Sequence, residues 1–410
     1  MSEVRARRVA VTGIGAVTPV GHGADGLWAG VLANRSAVRT IDRFDPRPFP
    51  SHVAAAVDDF DPADHLDARR ARRLDRFSAF AVASARMAVG HAALADGHRP
   101  PERTGIWIGS ALGGVAFGEE QHAAYVERGV RGVSPTLATA VFGGAAASNV
   151  AIDLGIRGPA IGNANSCASG AVAIGQAFQA IRAGTVDVAL AGGAEAPLAP
   201  LTFGAFAMIR VLSRRNDDPT TASRPFDAGR DGFVMGEGAA MLVLEAWDAA
   251  EARGALILGE LLGFGASTDA HHLTAPLPSG ESAASAITTA LADARRRPAE
   301  VGYVNAHASS TPLNEIAEAL AFHRAFGRQH AARVPVSGTK GLYGHPLGAS
   351  GAIEAAITVL ALHHGLLPGT CNLVTQDPQI ELSVLRSAVP ATPDLAVSTS
   401  FGFGGLNAAL

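Results

Sequence analysis

A cysteine in the run Asn165-Ser166-Cys167-Ala168-Ser169-Gly170 stands where a Gly/Asn-rich turn gives way to a helical pattern. At a helix start, unpaired backbone N–H groups and the positive end of the helix dipole stabilise a thiolate. The same N–H groups can hold the oxyanion that forms when the thiolate attacks a thioester. Cys167 is therefore expected to be an acid-shifted nucleophile, although a small buried core residue is the commoner fate of a thiol. Two distant segments supply what a nucleophile needs. Tyr303-Val304-Asn305-Ala306-His307-Ala308-Ser309-Ser310-Thr311 reads as a short apolar strand that delivers His307 into a hydroxyl-rich loop. Lys340-Gly341-Leu342-Tyr343-Gly344-His345 follows the strand-like Val334-Pro335-Val336-Ser337 and sets His345 at the mouth of a further helix, residues 348–362. Strand ends beside glycine turns are where α/β proteins keep their chemistry. Lys340 and Glu354 flank His345 in the sequence. A buried lysine without a partner is costly, so the two are expected to pair, Lys340 orienting the site and Glu354 keeping it charged.

The elements that must hold these groups are legible in part. Ile174, Ala177, Phe178 and Ile181 recur at helical spacing after Cys167, Arg182 suits the helix end and Gly184 its stop. Val186, Val188 and Leu190 then alternate as in a strand that ends at Gly192-Gly193. With 410 residues, 48% hydrophobic and 17% charged, the chain can bury a large core in two similar halves. The division falls near Ala249-Ala250-Glu251-Ala252-Arg253-Gly254, giving 1–252 with the cysteine and 253–410 with the histidines. A net charge of −4 gives no reason to invoke nucleic acid or an anionic membrane. Residues 1–6 are too polar for a signal peptide and no long apolar run occurs, so a cytoplasmic location is the expectation. A dinucleotide fingerprint fails, because Thr18-Pro19 follows Val11-Thr12-Gly13-Ile14-Gly15 where a third glycine and a helix belong. No metal site is expected: the neighbours His271-His272 and His363-His364 point apart within each pair, with no Cys or acidic cluster to join them.

Val11-Thr12-Gly13-Ile14-Gly15-Ala16-Val17-Thr18-Pro19 and Phe401-Gly402-Phe403-Gly404-Gly405 bracket a series of ordered motifs. Between them lie Arg224-Pro225-Phe226-Asp227, Asp231-Gly232-Phe233-Val234-Met235-Gly236-Glu237-Gly238 and Asp269-Ala270-His271-His272-Leu273-Thr274. Over essentially its whole length the chain thus resembles the β-ketoacyl-acyl carrier protein synthases, the elongating condensing enzymes of fatty acid and type II polyketide synthesis. The resemblance implies an α/β chain in the thiolase fold, two related halves in a five-layer α-β-α-β-α sandwich. It implies a Cys-His-His site of Cys167, His307 and His345, with Phe403 as a gate over the acyl-cysteine. An acyl group would transfer to Cys167, and malonyl-carrier protein would lose carbon dioxide. The enolate, held by the two histidines, would attack the acyl group between the N–H groups of Cys167 and Phe403.

Further residues are carried over by position. Ser309, Thr311 and Thr274 match tunnel hydroxyls for a phosphopantetheine arm, and Leu112 and Phe206 match residues lining the acyl pocket. Acidic carrier proteins want a basic docking face. Arg69, Arg70, Arg72, Arg73 and Arg76 are expected to cluster on one helix, with Arg128, Arg131 and Arg210 as further contacts. No permanently bound cofactor is implied. The partners implied are an acyl carrier protein and a second ketosynthase-type chain, forming a homodimer or a heterodimer with a chain length factor. An inactive chain-length-factor role is the alternative reading, disfavoured because such chains replace the cysteine. Departures from the family pattern at Asn165, Ser166, Ala168, Ala308, Glu315 and Leu406 point towards a specialised pathway.

Overall fold

The computed structural model describes residues 6–410; the polar segment 1–5, read above against a signal peptide, lies outside the described residues. Two mixed sheets organise the chain. In the first, the spatial order is Gly259–Leu261, Val9–Thr18, Gly238–Ala246, Val188–Glu195, Thr104–Gly109 and Ala160–Asn163, with Gly21–His22 paired to Val9–Thr18. In the second it is Gly265–Thr268, Leu406–Ala409, Ala396–Gly402, Tyr303–Asn305, Pro335–Ser337 and Ser383–Val384.

Helices Ser169–Arg182 and Ser350–His364 pack on each other between the two sheets. Arg76–His91 and Ala145–Leu154 cover the outer face of the first sheet, and Glu281–Asp293 and Asn314–Phe326 that of the second. The result is the five-layered α-β-α-β-α sandwich. Both central helices are buried over most of their length, in keeping with their Ala- and Ile-rich composition, whereas a helix with one apolar stripe would suit only an outer layer. Strand Gly259–Leu261, past the division expected near 252, lies in the first sheet beside Val9–Thr18.

Val9–Thr18 runs as one buried strand through Gly13-Ile14-Gly15, where a nucleotide loop would have turned. Those glycines serve packing. A Cβ at Gly13 would lie 2.3 Å from the Ala88 carbonyl oxygen, and one at Gly15 would lie 2.0 Å from that of Ser84. The helix Arg76–His91 sits that close to the strand. Its N-cap is Asp75, whose carboxylate accepts from the Ser78 N–H at 3.2 Å. The expected single arginine helix is accordingly broken: Ala68–Ala71 is one short helix, Arg76 opens the next, and the N-cap at Asp75 separates them.

Register decides where the chemistry emerges. Thr104–Gly109 lies parallel between Val188–Glu195 and Ala160–Asn163, with Gly109 opposite both Gly193 and Asn163. Two of these strands therefore end level with each other, and Val188–Glu195 runs two residues further, to Glu195. In the second sheet Asn305 pairs in parallel with both Ser337 and Ser398, so the turns carrying His307 and Lys340 leave side by side.

Candidate active site

Cys167 sits in a tight 3₁₀ turn, Ser166–Ala168, between the strand Ala160–Asn163 and the helix Ser169–Arg182. Ser166 adopts a left-handed φ of 52°, an unfavourable conformation for a residue with a Cβ, and side-chain bonds hold it. Asn163 Nδ2 donates to the Ser169 carbonyl at 3.1 Å, and Ser169 Oγ donates to the Ser166 carbonyl at 2.6 Å. The turn faces a cavity of about 260 Å³ lined by Cys167, His307, His345 and Phe403. The Phe403 backbone N–H points at the Cys167 sulfur.

The expected acid-shifted thiolate is corrected by burial. Desolvation pushes the Cys167 thiol above its ordinary value, against the opposing pull of the Ser166 hydroxyl, the Phe403 N–H and the Lys340 charge. The helix start does not outweigh the loss of water. Burial likewise lifts Cys371, to about 11, and that thiol lies outside the cavity. A raised thiol pKa means less thiolate at neutral pH. Iodoacetamide should therefore modify Cys167 before Cys371 through access, with a rate that keeps climbing through pH 9. A plateau below pH 8.5, read by mass spectrometry, would show an acidic thiol instead.

The two histidine rings lie 5.3 Å apart between centroids, nearly perpendicular. Burial and the nearby Lys340 charge hold both well below the ordinary imidazole value, so both are neutral near pH 7. Lys340 Nζ reaches His307 Nδ1 at 3.4 Å. An ammonium can only donate, so Nδ1 accepts and the His307 proton resides on Nε2. His345 Nδ1 lies 2.8 Å from Ser350 Oγ, which can donate to it and leave Nε2–H in the same role. The Phe233 ring meets His345 edge-on, with centroids 5.2 Å apart.

Lys340 and Glu354, both fully buried, form an ion pair, and Lys340 also donates to the His307 carbonyl. Burial drives the Glu354 carboxyl up while the lysine charge pulls it down. The backbone beside the histidines is strained: Ala308 has φ 41°, Ser310 68° and Leu347 39°. Ala308, one of the departures noted in the sequence, thus occupies a conformation that glycine adopts without penalty.

Ser309 and Thr311 share a hydrogen bond of 3.0 Å and line the cavity together with Thr274, Phe206 and Arg210. Phe206 stacks on Phe403 at 6.2 Å. Leu112 does not line this cavity; it packs against the apolar cluster that contains Cys167 and Leu347, alongside Phe206 and Phe403. Arg69, Arg72, Arg73, Arg128, Arg131 and Arg210 are exposed. Arg70 is instead tied to Asp153, and Arg76 to the buried Glu237 at 2.9 Å. Among the described residues no group of three or more His, Cys, Asp or Glu side chains is arranged to hold a metal, and no helix is long and apolar enough to cross a membrane.

Three contributors escape a reading from sequence. Glu318 accepts from the N–H groups of His307 and Ala308 at 2.8 and 2.9 Å, and from Thr399 Oγ1 at 2.9 Å, fixing the His307 turn. Ser166 contributes its backbone conformation and a 3.8 Å contact to Sγ. The third is Glu195, at the end of its strand. A buried glutamate after Gly192-Gly193-Ala194 was the available signal, since a charge that ends an apolar strand needs partners.

Comparison with known proteins bears directly on this geometry. The beta-ketoacyl synthase N-terminal domain model matches residues 6–250, and the C-terminal domain model residues 258–374. A 3-oxoacyl-[acyl-carrier-protein] synthase 2 of Synechocystis sp. is 41% identical over 411 aligned positions, spanning 100% of this chain and 99% of that protein. A solved ishigamide ketosynthase/chain length factor superposes with a TM-score of 0.91 at 34% identity, covering 99% of this chain and 98% of that one. A type II polyketide synthase acyl-carrier protein in complex with its ketosynthase bound to the hexaketide gives a TM-score of 0.92 at 31% identity, covering 98% of each chain.

Proposed function

The chain belongs to the β-ketoacyl synthase family and is an acyltransferase-type condensing enzyme with the thiolase fold, and on that premise we propose a mechanism built on Cys167, His307 and His345. The observation that carries it is the convergence of the three side chains on one cavity, the cysteine from the first sheet's turns and the histidines from the second half of the chain. An acyl thioester of a carrier protein reaches Cys167. The sulfur attacks the carbonyl, the carrier thiolate leaves, and the proton lost by Cys167 ends on the carrier thiol. Malonyl-carrier protein then enters. Its carboxylate departs as carbon dioxide, and the electron pair becomes an enolate whose thioester oxygen accepts from His307 Nε2–H and His345 Nε2–H. The enolate carbon forms the new bond to the acyl carbonyl. The resulting oxyanion sits between the N–H groups of Cys167 and Phe403 and collapses, releasing the Cys167 thiolate and a 3-oxoacyl thioester on the carrier.

The substrates ride a phosphopantetheine arm along Ser309, Thr311 and Thr274, and none of these steps uses a resident cofactor. Phe403, stacked on Phe206 and set among glycines, gates the acyl-cysteine, and Leu112, packed in the same apolar cluster outside the cavity, bounds the room left for an acyl tail behind that gate. Lys340, paired with Glu354, fixes the tautomer of His307. The carrier protein docks on Arg69, Arg72, Arg73, Arg128 and Arg131, with Arg210 at the cavity rim. A second ketosynthase-type chain, identical or of the chain-length-factor kind, pairs along the edge strand Ala160–Asn163. Its exposure and the neighbouring exposed Phe142, Ile152 and Ile161 support an apolar partner there. The departures around Cys167 and His307, together with the polyketide neighbours, support a type II polyketide or specialised fatty acid pathway. Retention of Cys167 speaks against an inactive partner subunit.

The test is intact-mass analysis with a panel of acyl-carrier proteins followed by malonyl-carrier protein. A single acyl adduct on Cys167 that disappears as 3-oxoacyl-carrier protein forms supports the reading; no adduct on Cys167, or turnover by Cys167→Ala, overturns it. In the same assay, charge reversal at Arg69, Arg72 and Arg73 should raise KM for carrier-borne substrate far more than for a small thioester. Added salt should mimic it, because exposed charges are screened over about 10 Å at 0.1 M. An unchanged KM at low salt would move docking elsewhere.

A further inference from the structure

The strand Val188–Glu195 ends in a carboxylate with no exposure to solvent and no part in the steps above. Its hydrogen bonds come from two turns. Ser110 Oγ donates to Glu195 Oε1 at 2.9 Å and the Leu112 N–H to the same oxygen at 3.2 Å. The Ala111 N–H donates to Oε2 at 2.6 Å and the Gly348 N–H at 2.9 Å. The first turn ends the strand Thr104–Gly109 and carries Leu112, which packs in the apolar cluster around Cys167. The second carries His345, Leu347 at the cavity wall and the short turn Leu347–Ala349.

The two turns approach closely around this carboxylate. A Cβ at Gly348 would lie 2.3 Å from the Ala111 nitrogen and 2.6 Å from Glu195 Oε2, so the two turns touch across it. Leu347, next to Gly348, holds a left-handed φ of 39°, a conformation that persists only when its surroundings enforce it. The bond from Gly348 N–H to Glu195 is one such constraint. Burial raises the Glu195 carboxyl to about 7 even though all four donors favour the ionised form.

We propose that Glu195 is a positioning residue that locks the Leu112 turn to the His345 turn, so that the acyl length accepted on Cys167 and the decarboxylation step share one buried anchor. It touches no reacting atom. Its action is to hold the apolar cluster behind Cys167, through the Leu112 turn, and the enolate-binding imidazole in a fixed relation, and the inference rests on the condensing mechanism given above. A glutamine in its place keeps the shape but turns an NH₂ group towards donors, so that at least one turn loses its acceptor.

The experiment measures acyl loading for carrier-bound acyl groups of increasing length, decarboxylation of malonyl-carrier protein, and melting temperature, all at pH 8. It compares wild type, Glu195→Gln and Ser110→Ala; the last, kept should the glutamine variant fail to fold, removes one of the four bonds to Glu195 and the bond that Ser110 Oγ accepts from the Gly113 N–H at 3.0 Å. Expected for Glu195→Gln are a kcat for decarboxylation lowered about tenfold, KM for the carrier substrate unchanged, and a chain-length cutoff that broadens. Ser110→Ala should move the cutoff in the same direction by less. A uniform loss across all lengths and both steps, tracking the fall in melting temperature, would reduce Glu195 to a fold-stabilising group and overturn the inference. So would variants with the wild-type cutoff and kcat. Failure of wild type itself to load Cys167 overturns the condensing mechanism instead, so the two failures are distinguishable.

Discussion

Replacing His345 with alanine is expected to slow decarboxylation of malonyl-carrier protein by about 10²–10³-fold, the usual consequence of losing one donor to a developing oxyanion. His307→Ala should do the same. Acyl transfer to Cys167 should change far less, because an imidazole that accepts at Nδ1 carries its proton on Nε2 and has no lone pair there to take the thiol proton. The Cys167 sulfur is held by the Ser166 hydroxyl and the Phe403 N–H, whereas His307 and His345 are each tethered at Nδ1 and present Nε2. Loading is measured by intact mass without malonyl substrate, and decarboxylation by release of labelled carbon dioxide from malonyl-carrier protein. If a histidine variant loses loading as completely as decarboxylation, that histidine activates the thiol and the division of labour is wrong. The two variants need not be equal. The His307 backbone N–H is engaged by Glu318 and Thr399 whatever its side chain, so His307→Ala keeps its turn; His345→Ala removes the Ser350 bond and an edge contact with Phe233.

Local signals were enough for some elements and not for others. The helix after Cys167 is marked by its apolar spacing and by Gly184, which takes φ 74°, and it runs Ser169–Arg182 as the spacing predicts. The strand that follows begins two residues later than Val186 but carries the same alternation into Gly192-Gly193. The arginine run misleads because charge pattern says nothing about caps: Asp75 starts a new helix, and Arg70 and Arg76 turn inward to Asp153 and Glu237, acids far away in the chain. The thiol shift misleads for a related reason. A helix start is visible in sequence, but the desolvation that opposes it depends on how closely Gly402 and Phe403 approach, and a Cβ at Gly402 would lie 3.0 Å from the Cys167 nitrogen. The partners of Glu195 are illegible for the same cause, since Ser110, Ala111, Leu112 and Gly348 meet it only after two strands and a distant turn are assembled.

Breaking the Lys340–Glu354 pair should affect stability and catalysis separately. Lys340→Met leaves the Glu354 carboxyl in a fully buried site without its cation, and removal of one partner from such a pair costs about 3–5 kcal/mol. Replacing both, as Lys340→Met with Glu354→Leu, removes both charges from that site and should bring stability back to within about 1–2 kcal/mol of wild type. Activity should not return with it. The double variant still lacks the donor that faces His307 Nδ1 and the bond to the His307 carbonyl, so the imidazole is free to place its proton on Nδ1 and offer a lone pair where the enolate needs an N–H. Denaturant unfolding of the four proteins in the double-mutant cycle gives the coupling, and decarboxylation measured on the same samples gives the chemical consequence. Recovery of both together would mean that Lys340 acts only by neutralising Glu354. A single variant as stable as wild type would mean that the pair is not held as two buried charges. Stability recovered with decarboxylation still lowered by at least about tenfold assigns Lys340 its second task, holding His307 in the tautomer that the enolate requires.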